Sequence, residues 1–283
     1  MIGVFLKNAG AALCVALLLS ACAPTTAERY RNHARIMQSD GYFRTETTPA
    51  DAPFTNADLA RNFEKVALNR EYRRENGALV EAETPTPISR WTKPLRYRLA
   101  GEGVTPVDIL EYRAFTQRLQ GLTGLPVSEV KEEPNISILI LGPEEREEFI
   151  ASLEADGLAD RLPLVVEWAR EVRYPCIGQV GYQDADSGEI SGAMIVIKAE
   201  LQGVFRTSCI HEELTQALGL MNDDDEVRPS IFNDDQEFAF LTEHDEYLIR
   251  ILYDGRLRPG MAAEEVRAVL PEILAEMRPE GEG

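Results

Sequence analysis

The order of the sequence patterns predicts an α+β fold. A capped amphipathic helix is followed by an alternating strand, a second long helix and two apolar strands. The last strand leads into a helix bearing two adjacent glutamates. The 283 residues show no internal repeat and no low-complexity run, and they are enough for one large or two small domains with a proper core.

The elements follow in chain order. Residues 1–21 hold a single Lys7 and then "AGAALCVALLLSAC", whose apolar core ends at small residues. This is the pattern of an export signal, too short to span a bilayer permanently. The four residues Leu19–Cys22, "LSAC", resemble the lipobox of bacterial lipoproteins. The resemblance implies cleavage before Cys22 and acylation of the new N-terminus with palmitate-type chains. Ala23, where inner-membrane retention wants Asp, implies an outer-membrane lipoprotein facing the periplasm or the cell surface. Outer-membrane lipid is then a partner, held by several acyl chains at roughly 0.8 kcal/mol per buried methylene. The other reading is an ordinary cleaved signal or a short buried helix. Residues 22–54, with His33 and "TETTPADAP", are expected to be the anchor and a flexible spacer.

The body is expected over 55–258. Thr55 and Asp58 form a capping-box start, and Leu59, Phe63, Val66 and Ala67 fall on one helical face. A Pro-rich break, "EAETPTPIS", precedes a half-buried strand in which Leu95, Tyr97 and Leu99 alternate with Arg96 and Arg98. Ile109, Tyr112, Phe115 and Leu119 form the stripe of the next helix, with Gly121 or Gly124 as its stop. "NISILIL" is an apolar strand, and "PEEREEFIASLEA" is a helix with acids in its first turn, where the macrodipole favours them. Residues 172–187 read as loop and short strand, and Gly192–Glu200 as a buried strand. Thr242 and Asp245 cap a later helix; His244 beside them reads as a surface residue, and 259–283 as a C-terminal helix and tail.

The formal net charge is −19, with a sequence pI near 4.6. Such a chain is repelled by nucleic acid and by anionic lipid head groups, so neither is an expected partner. Cys14 leaves with the signal and Cys22 is acylated, which leaves Cys176 and Cys209 in an oxidising compartment. A disulfide is the economical inference, with two separately buried thiols as the alternative.

The stretches "DLARNFEKVALNREY", "RWTKPLRYRL", "RLQGLTGLPV", "HEELTQALGLMND" and "SIFND" together resemble a family of bacterial lipoproteins known only as a domain of unknown function, a resemblance that implies no activity. At the motif "EELTQALGLMND" the chain also resembles the metzincin zinc peptidases, whose H-E-x-x-H-x-x-G-x-x-H places three histidines on one metal and a glutamate on its water. On that spacing this chain supplies Glu212, Glu213, Gln216, Gly219 and Asn222. The resemblance implies a metzincin-like mixed sheet, with Glu213 at the general-base position and Glu212, Gln216 and Asn222 at the metal positions. Phe232 in "SIFND" stands where such sites have a methionine, and Leu241–Gly255 matches their final helix. A register using His211 fails one turn later, at Thr215, and His211 is expected to support the helix through a hydrogen bond.

One carboxylate and two amide oxygens are a poor donor set for zinc; they suit a harder divalent cation, with low affinity. Asp223, Asp224, Asp225 and Glu226 could add carboxylates, although such a run is usually a solvated loop. The expected function is therefore binding without a resident cofactor. The ligand would be an extended polypeptide laid along an edge strand near "GAMIVIK". The alternative is a metal-dependent peptidase or other hydrolase with non-histidine ligands and Glu213 as base. A third option is an accessory of an envelope complex.

Overall fold

The structure, a computed structural model, describes residues 24–75, 78–184 and 187–279. The expected signal peptide and the acylated Cys22 lie outside the described residues.

The first described element is helix α1, Thr26–Ser39, opened by a Thr25–Glu28 capping box. It stands where a flexible spacer is expected. Its attachment explains the difference: Tyr30 and Ala34 are buried, and the Tyr30 hydroxyl donates to the Val172 carbonyl at 2.6 Å. His33 stays exposed, although its ring lies 5.6 Å from that of Phe205. The segment that follows is tied down by Arg44, which pairs with Glu46, Asp51 and Glu237.

Helix α2, Asn56–Ala67, forms from its Thr55–Asp58 box and buries Leu59, Phe63, Val66 and Ala67. Each large apolar side chain among them contributes about 1.5–3 kcal/mol by leaving water. An antiparallel hairpin follows, β1 (Asn69–Glu75) with β2 (Ala78–Pro85), in place of the expected Pro-rich break. Next come β3 (Leu95–Ala100), α3 (Pro106–Thr123), β4 (Val127–Glu129), β5 (Ile136–Leu141), α4 (Pro143–Ala155) and α5 (Pro163–Arg170). Gly124, at φ +71°, rather than Gly121, caps α3. The chain continues through β6 (Cys176–Tyr182), β7 (Ile190–Lys198), α6 (Val204–Gln216), α7 (Glu243–Leu252) and α8 (Ala263–Met277).

This is an α+β protein with a mixed five-stranded sheet in the order β4-β3-β5-β7-β6. The first four are parallel neighbours, and β6 runs antiparallel to β7 at the edge. The strand containing "GAMIVIK" is therefore β7, an interior strand; the edge position belongs to β6, which Gly178 and Gly181 disguise as loop in the sequence. Alternation along β5 and β7 sends side chains to two cores. Ile136, Ile138, Ile140, Ile195 and Ile197 join the main core with α1, α2, α3, α6, α7 and α8. Leu141 and Val196 face the other way, onto Leu153, Val165 and Trp168 of α4 and α5. Helix α8 belongs to the main core through Val266, Leu270, Ile273 and Leu274, so the boundary expected at 258 does not separate it from the body.

Candidate functional site

Helix α6 places the candidate residues. Its N-terminal turn is fixed by buried Arg206, which pairs with Asp108 at 2.9 Å and donates to the Gly103 and Ala199 carbonyls. One turn later Cys209 is joined by a disulfide to Cys176 of β6, with their Cα atoms 6.0 Å apart. The bond holds the helix under the edge strand.

His211 faces away from β6. Its ring stacks on Phe115 at 4.0 Å, and its Nδ1 accepts the Leu241 amide at 3.0 Å. Burial, aided by the charge on Arg118, lowers its pKa from 6.5 to about 3, so it is neutral and serves as a support. His244 is not a surface residue: it is 0 % exposed, lies 3.0 Å from the Asn62 amide nitrogen through Nε2, and meets Phe54 edge-on. Its ring packs on Phe54, and Asp245, the acid that follows it in sequence, is buried with it at 3.5 Å.

Glu212, Glu213 and Gln216 line a cleft of about 430 Å³ between α6, strand β6 and the base of the β1–β2 hairpin. Glu213 is 5 % exposed, and its Oε2 is sealed from solvent with no well-formed hydrogen bond, although the Gly178 backbone lies near enough to favour the charged carboxyl slightly. It sits against Gly178 so closely that a Cβ there would come within 2.8 Å of Oε2. Gly219, at φ +123°, reverses the chain after α6; a Cβ at that position would fall 1.9 Å from the Ser89 carbonyl oxygen, so no other residue fits.

Beyond that turn the expected third position is corrected by one residue. Asn222 is buried, with its backbone amide given to Val66 and its side-chain amide to Lys65, and it does not line the cleft. Asp223 turns inward instead, and Gln216 Nε2 donates to both its oxygens at 3.0 Å. The rest of the acidic run points outward: Asp224 and Glu226 pair with Lys65 at 2.8 and 2.6 Å. Phe232 is fully buried in the main core and stands apart from the cleft, beneath a turn held by Asp245, which accepts from Ser230 and the Ile231 amide.

Several acidic groups crowd together in the cleft. Burial pushes Glu212, Glu213 and Asp223 well above the ordinary carboxyl range. Repulsion adds to this: Glu212 feels Glu213, Glu71 and Asp234, while Glu213 feels Asp223 and Glu71. Among the residues whose side chains are described, no ion pair joins a Lys or Arg to Glu212, Glu213 or Asp223. Two arginines also line the cleft, Arg70 donating to Tyr182 at 3.1 Å and Arg173 paired with Glu167 at 3.2 Å. Zinc does not fit this donor set, since imidazole and thiolate are absent from it and the nearest histidine is turned into the core. No three His, Cys, Asp or Glu side chains among the described residues are arranged to hold a metal ion.

The profile of a family described as Protein of unknown function (DUF2927) matches residues 56–272. The chain belongs to this family. The matched DUF2927 region begins at α2 and ends within α8, so it contains the whole sheet, the hairpin and the cleft. No curated protein and no solved structure matches the chain.

Two contributors to the cleft escaped the sequence reading. Glu71 stands on a strand hidden in a charged stretch, and Gly178 acts through a missing side chain. The "CIGQVGY" alternation around the glycines is the signal that could have revealed β6.

Proposed function

We propose that this DUF2927 protein is a lipid-anchored cell-envelope protein whose metzincin-like cleft binds an extended polypeptide along β6. The observation that carries the reading is the free edge of β6. Its inner side pairs with β7, no strand among the described residues occupies its outer side, and it forms one wall of the cleft. An exposed antiparallel edge offers a row of unpaired amides and carbonyls, which an extended segment satisfies by adding a strand. The disulfide to α6 supports a binding role, because a rigid edge loses less entropy on association. The metzincin likeness is supported by the helix under the edge strand, the glycine turn at its end and the capped helix α7. The test is amide chemical-shift mapping with extended peptides. Shifts and slowed exchange concentrated in Cys176–Tyr182 are expected, and peptide binding that leaves those amides unmoved would overturn the reading.

The runner-up is a metal-dependent hydrolase in which Glu213 acts on a bound water. It is favoured by the sealed Glu213 Oε2, a buried oxygen without a well-formed hydrogen bond, which is a group that usually needs a reason. Burial raises the Glu213 carboxyl and so favours its protonated form, and a nearby cation would shift it back toward the base that such a reaction needs. Elemental analysis of the purified protein separates the two. Binding predicts no stoichiometric metal and a melting temperature indifferent to chelators. A tightly held metal, with an activity lost in Glu213→Gln, would install the hydrolase.

A further inference from the structure

Among the side chains described, no cation is paired with Glu212, Glu213 or Asp223, and the geometry of the edge strand shows from where one could reach them. Glu213 Oε2 is buried without a well-formed hydrogen bond directly beneath Gly178 of the edge strand. Glu212 and Asp223 line the same cleft, and no described side chain pairs them with a cation. Charged carboxylates held this far from water are costly unless an opposite charge meets them.

In a ladder, residues directly opposite each other project from the same face of the sheet. The missing Cβ of Gly178 points at Glu213, so a residue of an added strand paired across from Gly178 would send its side chain toward the same carboxyl. Cys176 and Val180, two residues to either side, share that face, and Cys176 is bonded to α6. They give an apolar wall along which an aliphatic stem could lie with its charged head among the acids.

We propose that this end of the cleft recognises one basic side chain, lysine or arginine, of the polypeptide that pairs with β6, a proposal that rests on the strand-addition reading. A compact metal ion is the poorer match, because no three acidic side chains among the described residues are arranged around a common point. A guanidinium or ammonium carries several donors and can engage carboxylates that are spread along a wall.

The experiment uses the full mature chain and four acetylated, amidated nonapeptides identical except for a central lysine, arginine, norleucine or glutamate. N-acetyl-arginine methylamide serves as a cation too small to form a strand. Lysine and arginine peptides should bind about tenfold or more tighter than the norleucine peptide, with the glutamate peptide weakest. Glu213→Gln and, as a second variant on the cleft rim, Asp223→Asn should each erase most of that ratio. Equal affinities for the lysine and norleucine peptides would overturn the pocket and leave strand addition standing. Binding of the small arginine probe, lost in Glu213→Gln, without any shift of β6 amides by the peptides would support the pocket and remove strand addition. Failure of both the small probe and every peptide overturns both. Saturable binding of manganese or calcium alone that excludes the lysine peptide would hand the site to a metal.

Discussion

At the residue scale, Glu213 combines a legible position with an illegible environment. Spacing identifies it, because a glutamate one place after the first ligand position and six before a glycine is readable in any sequence. Its surroundings depend on Gly178 and Glu71, which reach it from two other strands. The same limit explains Asn222: alignment by spacing selects it, yet Val66 and Lys65 capture its amides and leave Asp223 to enter the cleft. The charge logic yields a prediction. Glu213 has a folded pKa above its ordinary 4.5, so the folded state keeps a proton that the unfolded chain releases. Stability therefore falls as pH rises past about 4.5, until the folded carboxyl also ionises. Glutamine carries no such dependence. Glu213→Gln should melt higher than the parent at pH 7, by roughly 1–3 kcal/mol for relief of an unsatisfied buried group, at about 2–4 °C per kcal/mol, with the gap closing near pH 4. Thermal melts across that range check it, and a less stable variant at pH 7 would mean that Glu213 already has a cationic partner.

At the element scale, the disulfide couples the helix that carries the acids to the strand that forms the cleft wall. The ring it closes spans a sequence separation of 33, for which loop-closure entropy gives about 3–4 kcal/mol. Cys209→Ser should lower stability by about that amount, measured by denaturant unfolding. It should also raise hydrogen exchange in β6 more than in β5, since β5 is held on both sides by β3 and β7. Uniform acceleration over both strands would show that the bond does not hold the edge specifically. Legibility at this scale followed local chemistry. Helices α2 and α7 announced themselves through Thr–x–x–Asp boxes, and β5 and β7 through largely apolar runs with side chains in both cores. Strands β1 and β2 did not, because their charged and Pro-flanked residues follow no apolar period. Helix α1 was concealed by its composition: only Tyr30 and Ala34 of its fourteen residues are buried, too few to make a stripe.

At the scale of the whole molecule, α1 changes how the proposed anchor would work. With a flexible spacer, an acylated Cys22 would leave the body free to range; instead α1 begins at Thr26 and is packed onto the core. Four Cα steps separate Cys22 from Thr26, which span at most about 15 Å. The proposed lipid would thus keep this body, with its net charge of −19, at the bilayer surface. The described residues contain no helix long and apolar enough to cross a membrane, and the negative charge opposes adsorption to anionic lipid, so membrane association would depend on acylation. Cys22→Ser therefore makes a sharp test. Metabolic labelling with palmitate should mark the parent and not the variant, and the variant should move from the membrane fraction to the soluble one or remain unprocessed. Its cleft lies on elements independent of residue 22, so peptide binding by the purified variant should match that of the parent. A variant that is still labelled, or an unlabelled one that stays on membranes after normal processing, would remove the lipid anchor and require a protein partner to hold the molecule there.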